Sequence, residues 1–216
     1  MIVGDARPGE AAPRSPGAVL SARRKAILQA ALRCFTSAGY EWTTIRDICA
    51  ESGASIGSVY HLFEEKQSIA GALYLDGVRE WVGLVAEAVR GAPDAEAAAR
   101  GAVRAYLDWI ADNPQWYAFC AGNRVLGRRS SVRRDVDKVF RALDRVLGDR
   151  FAPAAARGEV AALAPDAYRP MLLGVTYSIM IDRLCRLGPD APPDAWLPSP
   201  AERDALADSA WRGLRR

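Results

Sequence analysis

No stretch of this chain alternates apolar and polar residues for long enough to make a half-buried strand; where apolar residues recur, they recur at spacings of three and four. That periodicity predicts an all-α fold. In the segment 21 to 38, Ile27, Leu28, Ala31, Leu32 and Phe35 share one helical face, Arg23, Arg24, Lys25 and Arg33 lie outside it, and Gly39 supplies the stop. Short helices follow at close intervals. Thr44 and Asp47 stand at capping-box spacing ahead of Ile45, Ile48 and Cys49, and Ser55 can cap a helix whose Val59, Leu62 and Phe63 face inward.

From Lys66 the helices lengthen, and the spacing places them at about 66 to 90, 94 to 111, 114 to 126, 131 to 156, 167 to 187 and 200 to 214. Ser199, Pro200 and Glu202 mark the start of the last one, and four prolines between Gly188 and Pro198 make the preceding segment a loop. A length of 216 residues accommodates a small domain joined to a larger one. The first 20 residues, broken by Gly4, Pro8, Gly9, Pro13, Pro16 and Gly17, read as a disordered arm with no signal-peptide core.

Composition narrows the chemistry. The four cysteines, at 34, 49, 120 and 185, have no CxxC spacing, so they read as small core residues in a reducing cytoplasm rather than as zinc ligands or a disulfide frame. His61 is the single histidine, which excludes His-clustered metal sites and disfavours an enzyme; no metal or cofactor is expected. The longest apolar run, Met171 to Ile181, is 11 residues and too short to cross a bilayer. A net charge of +3 gives no bulk attraction to polyanions, so any nucleic-acid contact has to come from local placement of groups. The segment Arg124 to Arg150, with nine basic and four acidic residues, reads as a solvated helix face.

The segment Thr44 to Phe63 has the spacing of a helix-turn-helix: two helical turns ending at Gly53, a three-residue turn, and a second helix opening on the small residues Ser55, Gly57 and Ser58. Small residues there allow close approach to a sugar-phosphate backbone. Tyr60 and His61 lie opposite the apolar inner face, as major-groove reading requires. Around this core stand Phe35, Gly39-Tyr40, Thr43-Thr44-Ile45, Asp47-Ile48, Ser52-Gly53, Ser55-x-Gly57-Ser58-Val59-Tyr60, Phe63, and Lys66 with Ile69. The gapless set resembles the TetR family of bacterial transcriptional regulators over roughly 21 to 69. Cys49, Ala54 and Gln67 depart from the usual residues without touching the outward face.

The resemblance implies an N-terminal three-helix helix-turn-helix DNA-binding domain over 21 to 68, followed by a larger helical ligand-binding and dimerisation domain over 69 to 216. It implies phosphate contacts from Thr44 and Lys66, phosphate or base contacts from Tyr60 and His61, polar contacts near base edges from Ser55 and Ser58, and a backbone contact from Arg46. The function implied is that of a repressor released from a palindromic DNA operator by a small effector; the rival is a helical protein–protein interaction module that binds no DNA. In the larger domain Trp81, Tyr106, Trp109, Trp116 and Tyr177 suggest a cavity for an apolar or aromatic ligand with one or two hydrogen-bonding groups. Arg104, Asp108, Asn113, Asn123 and Arg124 are near in sequence, but helical phase turns several outward. The helix 167 to 187 is apolar nearly all round, and with the last helix it predicts a homodimer contact through Leu172, Ile179, Leu206 and Ala210.

Overall fold

A computed structural model describes residues 16–124, 126, 130–188 and 191–216. These form α1 (Pro16–Ser37), α2 (Ile45–Ser52), α3 (Ile56–Leu62), α4 (Lys66–Gly91), α5 (Ala95–Asp112), α6 (Pro114–Gly122), α7 (Ser130–Ala156), α8 (Pro165–Leu187), α9 (Pro193–Trp196) and α10 (Pro200–Leu214). Among the described residues there is no strand, and Val160 and Arg215 form an isolated bridge. The fold is all-α, a three-helix N-terminal unit followed by a larger helical body.

Two expectations need correction. The first helix starts at Pro16, within the segment expected to be a disordered arm; proline's fixed φ suits a first helical turn, so it opens the helix rather than delaying it. The remainder of that arm, residues 1–15, lies outside the described residues. The proline-rich loop before α10 contains the one-turn helix α9, opened by Pro193 and anchored by the buried Trp196, whose ring stacks 5.9 Å from that of Tyr117.

Burial divides the apolar residues into two cores. Ile27, Ala31, Phe35, Ile48, Val59, Phe63 and Ile69 make the N-terminal one, so the faces expected of α1, α2 and α3 meet one another. Two later residues, Phe119 and Leu126, also belong to it, and the Phe119 ring stacks on Phe35 with centroids 5.5 Å apart. The second core joins α4, α5, α7, α8 and α10 through residues such as Val85, Val103, Leu147, Leu172 and Leu214. Helix α6 serves both: Phe119 enters the first core while Tyr117 enters the second. Its neighbour Trp116 donates its indole N–H to the Leu73 carbonyl of α4 at 3.0 Å.

Candidate functional site

The helix-turn-helix is built from local bonds. The Thr44 hydroxyl accepts from the Asp47 N–H at 3.3 Å, and the Asp47 carboxylate accepts from the Thr44 N–H and hydroxyl, both at 2.8 Å. The capping box read from sequence is therefore closed on both sides. Helix α2 ends at Gly53, whose φ of 67° lies in the left-handed region that side chains with a Cβ avoid. Ser55 then caps α3, accepting from the Ser58 N–H at 3.2 Å, and the two hydroxyls bond at 2.9 Å.

Val59 and Phe63 are buried and Leu62 half-buried, which turns the opposite side of α3 outward. Tyr60 is 52% exposed and His61 is exposed. Neither has a hydrogen bond, ion pair or ring contact among the described residues. Thr44, Arg46 and Ser55 are exposed as well, and Ser58 is half-buried. Sequence reasoning overlooked two apolar side chains on this unit. Trp42, beside the start of α2, is 84% exposed, and Ile56, the first residue of α3, is also exposed. Helical phase groups Ile56 with Val59 and Phe63; it stands one turn beyond the edge of the core.

Lys66, expected to grip a phosphate, makes bonds within the protein. Its ammonium donates to the carbonyls of Tyr40, Glu41 and Thr43 at 2.8, 3.1 and 2.8 Å and sits 4.6 Å from the centre of the Tyr40 ring. An ammonium has three N–H groups, and all three are engaged. Lys66 thus fastens the α1–α2 segment to the start of α4.

In the larger body a cavity of about 290 Å³ lies among α4, α5, α6, α7 and α8. Trp81, Tyr106, Trp109 and Tyr177 line it as the sequence suggests, joined by Tyr117, Cys120, Phe140 and Leu173. Trp116 does not: it packs behind Trp109, with ring centroids 6.2 Å apart, and its N–H is spent on Leu73. Burial pushes the Tyr106, Tyr117 and Tyr177 hydroxyls and the Cys120 thiol above their ordinary values, so all stay protonated at neutral pH. Of the polar residues near in sequence, Arg104 pairs with Asp204, Arg203 with Asp108, and Asn113 and Asn123 bond to the carbonyls of Trp109 and Phe119. Arg124 instead lies on the cavity wall.

The expected contact residues of α8 and α10 separate by burial. Leu172 is 1% exposed and belongs to the protomer's own core, which corrects its assignment to an outer surface: α7 and α10 pack against that side of α8. Ile179, Leu206 and Ala210 are half-buried against the same core. The outward apolar side chains of α8 are Met171, Val175 and Leu187, with Val175 60% exposed. Cys185 is exposed too, so it is not the core residue its setting suggested. Among the described residues no helix is long and apolar enough to cross a membrane.

Comparison with known proteins bears first on the N-terminal unit. Residues 27–73 match the family of bacterial regulatory proteins, tetR family. The HTH-type transcriptional repressor AcnR of Corynebacterium diphtheriae is 38% identical over 68 residues, 32% of this chain and 36% of that protein. The HTH-type transcriptional repressor Rv1474c of Mycobacterium tuberculosis is 41% identical over 54 residues, 25% of this chain and 29% of that protein. The chain thus spans well under half the length of these curated relatives. A solved TetR family transcription regulator from Marinobacter aquaeolei VT8 shares the fold with a TM-score of 0.68 at 12% identity, over 90% of this chain and 96% of that one.

Proposed function

We propose that this chain, whose residues 27–73 belong to the tetR family of bacterial regulatory proteins, is a homodimeric transcriptional repressor of the cytoplasm, without enzymatic activity, that a small effector releases from a palindromic operator. The observation that carries the reading is the outer face of α3, where Tyr60 and His61 stand free of the protein beside the exposed Thr44, Arg46 and Ser55. Residues 21 to about 68 are the DNA-binding part and the rest the effector and dimer part. Two copies would set their α3 helices about 34–36 Å apart, one turn of DNA. Repression rather than activation is supported by the two relatives, both transcriptional repressors.

Release requires an effector that favours one arrangement of the two parts over the other. Helix α6 supports such coupling physically. Tyr117 and Cys120 line the cavity, while Phe119 on the same helix stacks on Phe35 of α1. A ligand that shifts α6 therefore acts on the N-terminal core directly.

The test is selection of bound sequences from random duplex DNA with the purified full chain. A dyad-symmetric site with half-sites one helical turn apart, bound with an affinity that falls steeply with salt, is the expected result. No enrichment, or enrichment of sites without symmetry, overturns the reading.

A further inference from the structure

Among the described residues, the buried Trp109 Nε1 on the wall of the α4–α8 cavity has no hydrogen-bond partner, while the Tyr117 hydroxyl has Tyr106 beside it and the Tyr177 hydroxyl has Arg124. Trp109 and Tyr117 are 2% and 3% exposed. A buried polar group left unpaired costs about 1–3 kcal/mol, so the Trp109 N–H on this wall favours a ligand that brings an acceptor. A second, broader groove of about 1030 Å³, between the α1–α2 segment and α6 and α9, is larger but holds none of these atoms.

The charges on the wall specify the occupant further. Two guanidiniums, Arg124 and Arg169, line the cavity, and no carboxylate is among the described lining residues. Arg169 is already balanced: its Nε donates to the buried Asp144 at 2.8 Å, and its guanidinium lies 4.5 Å from the centre of the Phe140 ring. Arg124 has no ion pair among the described residues. Its guanidinium lies 5.0 Å from the centre of the Tyr177 ring, which holds it at the cavity while its charge stays unbalanced. An indole N–H only donates, and a protonated phenol has a proton to give.

We propose that the effector is a monoanionic organic acid, a flat aromatic or apolar body bearing one carboxylate, with the carboxylate on Arg124 and Tyr177 and the body held between Trp81, Tyr106 and Trp109 beside the Tyr117 hydroxyl. This rests on the reading of the cavity as the effector site, and it revises the sequence expectation of a largely apolar ligand. A planar guanidinium takes a carboxylate in a two-point, charge-assisted contact. A dicarboxylate or a phosphate ester would bring more charge than Arg124 balances.

Naphthylacetate, naphthylacetamide and naphthylmethylamine share one aromatic body and differ in charge. Calorimetric titration of each into the full chain, without and then with operator DNA selected as above, tests the proposal. The acid is expected to bind tighter than the amide by about ten-fold or more, and the amine weakest. Arg124→Gln, on an exposed side chain, should keep the parent Tm and bring the acid down to the amide, while Arg124→Lys keeps part of the preference. Trp109→Phe, which removes the N–H and retains a ring, should weaken the acid without reordering the three. Equal binding of acid and amide, an unchanged preference in Arg124→Gln, or failure of all three probes to bind overturns the proposal, while DNA binding by the unliganded chain stands apart. An acid that binds through Arg124 but leaves the DNA complex intact upholds the ligand class and overturns release by the effector.

Discussion

Lys66 and Tyr40 are joined twice: the Lys66 ammonium donates to the Tyr40 carbonyl at 2.8 Å and lies 4.6 Å from the centre of its ring. With the bonds to Glu41 and Thr43, this makes the lysine a fastener rather than a free charge. Lys66→Ala leaves three carbonyls to find other donors and should cost roughly 2 kcal/mol of stability. Operator affinity should fall by the same factor at every salt concentration. A drop of about one unit in the slope of log affinity against log salt would return Lys66 to the phosphate contacts.

Tyr60 and His61 make no hydrogen bond, ion pair or ring contact among the described residues, so replacing them removes little from the fold. Tyr60→Phe and His61→Ala should leave Tm unchanged, because exposed positions of this kind usually stay within about 0.5 kcal/mol. Each should weaken the selected operator, by about 1–3 kcal/mol if the side chain reaches a base edge. Gel-shift titrations in which both variants match the parent would remove them from the DNA contacts.

The capping box gives α2 a dependence on acid. The Thr44 N–H, and after it the Thr44 hydroxyl, hold the Asp47 carboxyl below its ordinary value. A depressed folded value means the contribution is full above the unfolded value of about 3.9 and is lost as the pH falls through the lower folded one. Protection factors of the α2 amides, corrected for intrinsic exchange, should therefore fall below about pH 4, and Asp47→Asn should flatten that limb. Identical acid limbs in parent and variant would show that the box contributes nothing.

Burial on α8 separates folding from assembly. Leu172→Ala opens the protomer core and should cost about 2–5 kcal/mol of stability. Val175→Glu changes an exposed position and should leave the protomer folded. In the proposed dimer it places a charge in the contact between two copies, so sedimentation should report a monomer. A Val175→Glu protein that sediments like the parent would move the interface off this face.

Two glycines of α4 make a matched pair. A Cβ on Gly77 would stand 2.9 Å from Trp116 Nε1 and 3.1 Å from Cys120 Sγ, whereas one on Gly83 would meet nothing within 4 Å. Gly83→Ala should raise stability by roughly 0.5–1 kcal/mol through helix propensity alone. Gly77→Ala should lower it by about 1–3 kcal/mol, because the indole is pushed from its bond to Leu73. Urea midpoints measure both, and equal shifts would mean that α6 moves aside at no cost.

What the sequence revealed and what it hid follow one physical line. Helix starts were legible at Thr44, Ser55 and Ser199 because a cap is written within three residues of itself. The faces of α1 and α3 were legible because helical period fixes which residues share a side. The internal bonds of Lys66 were not legible because the carbonyls it binds lie 23 to 26 positions upstream, and nothing in its own neighbourhood, Glu64 and Glu65 included, announces them. Trp116 misled for the same reason: an aromatic at helical spacing faces the interior, but which carbonyl takes its N–H is a tertiary matter. Arg124 eluded phase because it follows the end of α6, where the helical period no longer says which way a side chain goes.

Helix α4 is continuous from Lys66 to Gly91, 26 residues without an internal proline. At 1.5 Å per residue it measures about 39 Å. It is a rigid arm: Lys66 holds the α1–α2 segment at one end, and Trp81 lines the cavity further along. A tilt of about 5° around its far end carries Lys66 through roughly 3 Å, close to the 3.4 Å rise of one base pair. In the proposed dimer, displacements at the cavity far smaller than a side chain are enough to put the two copies out of step with an operator.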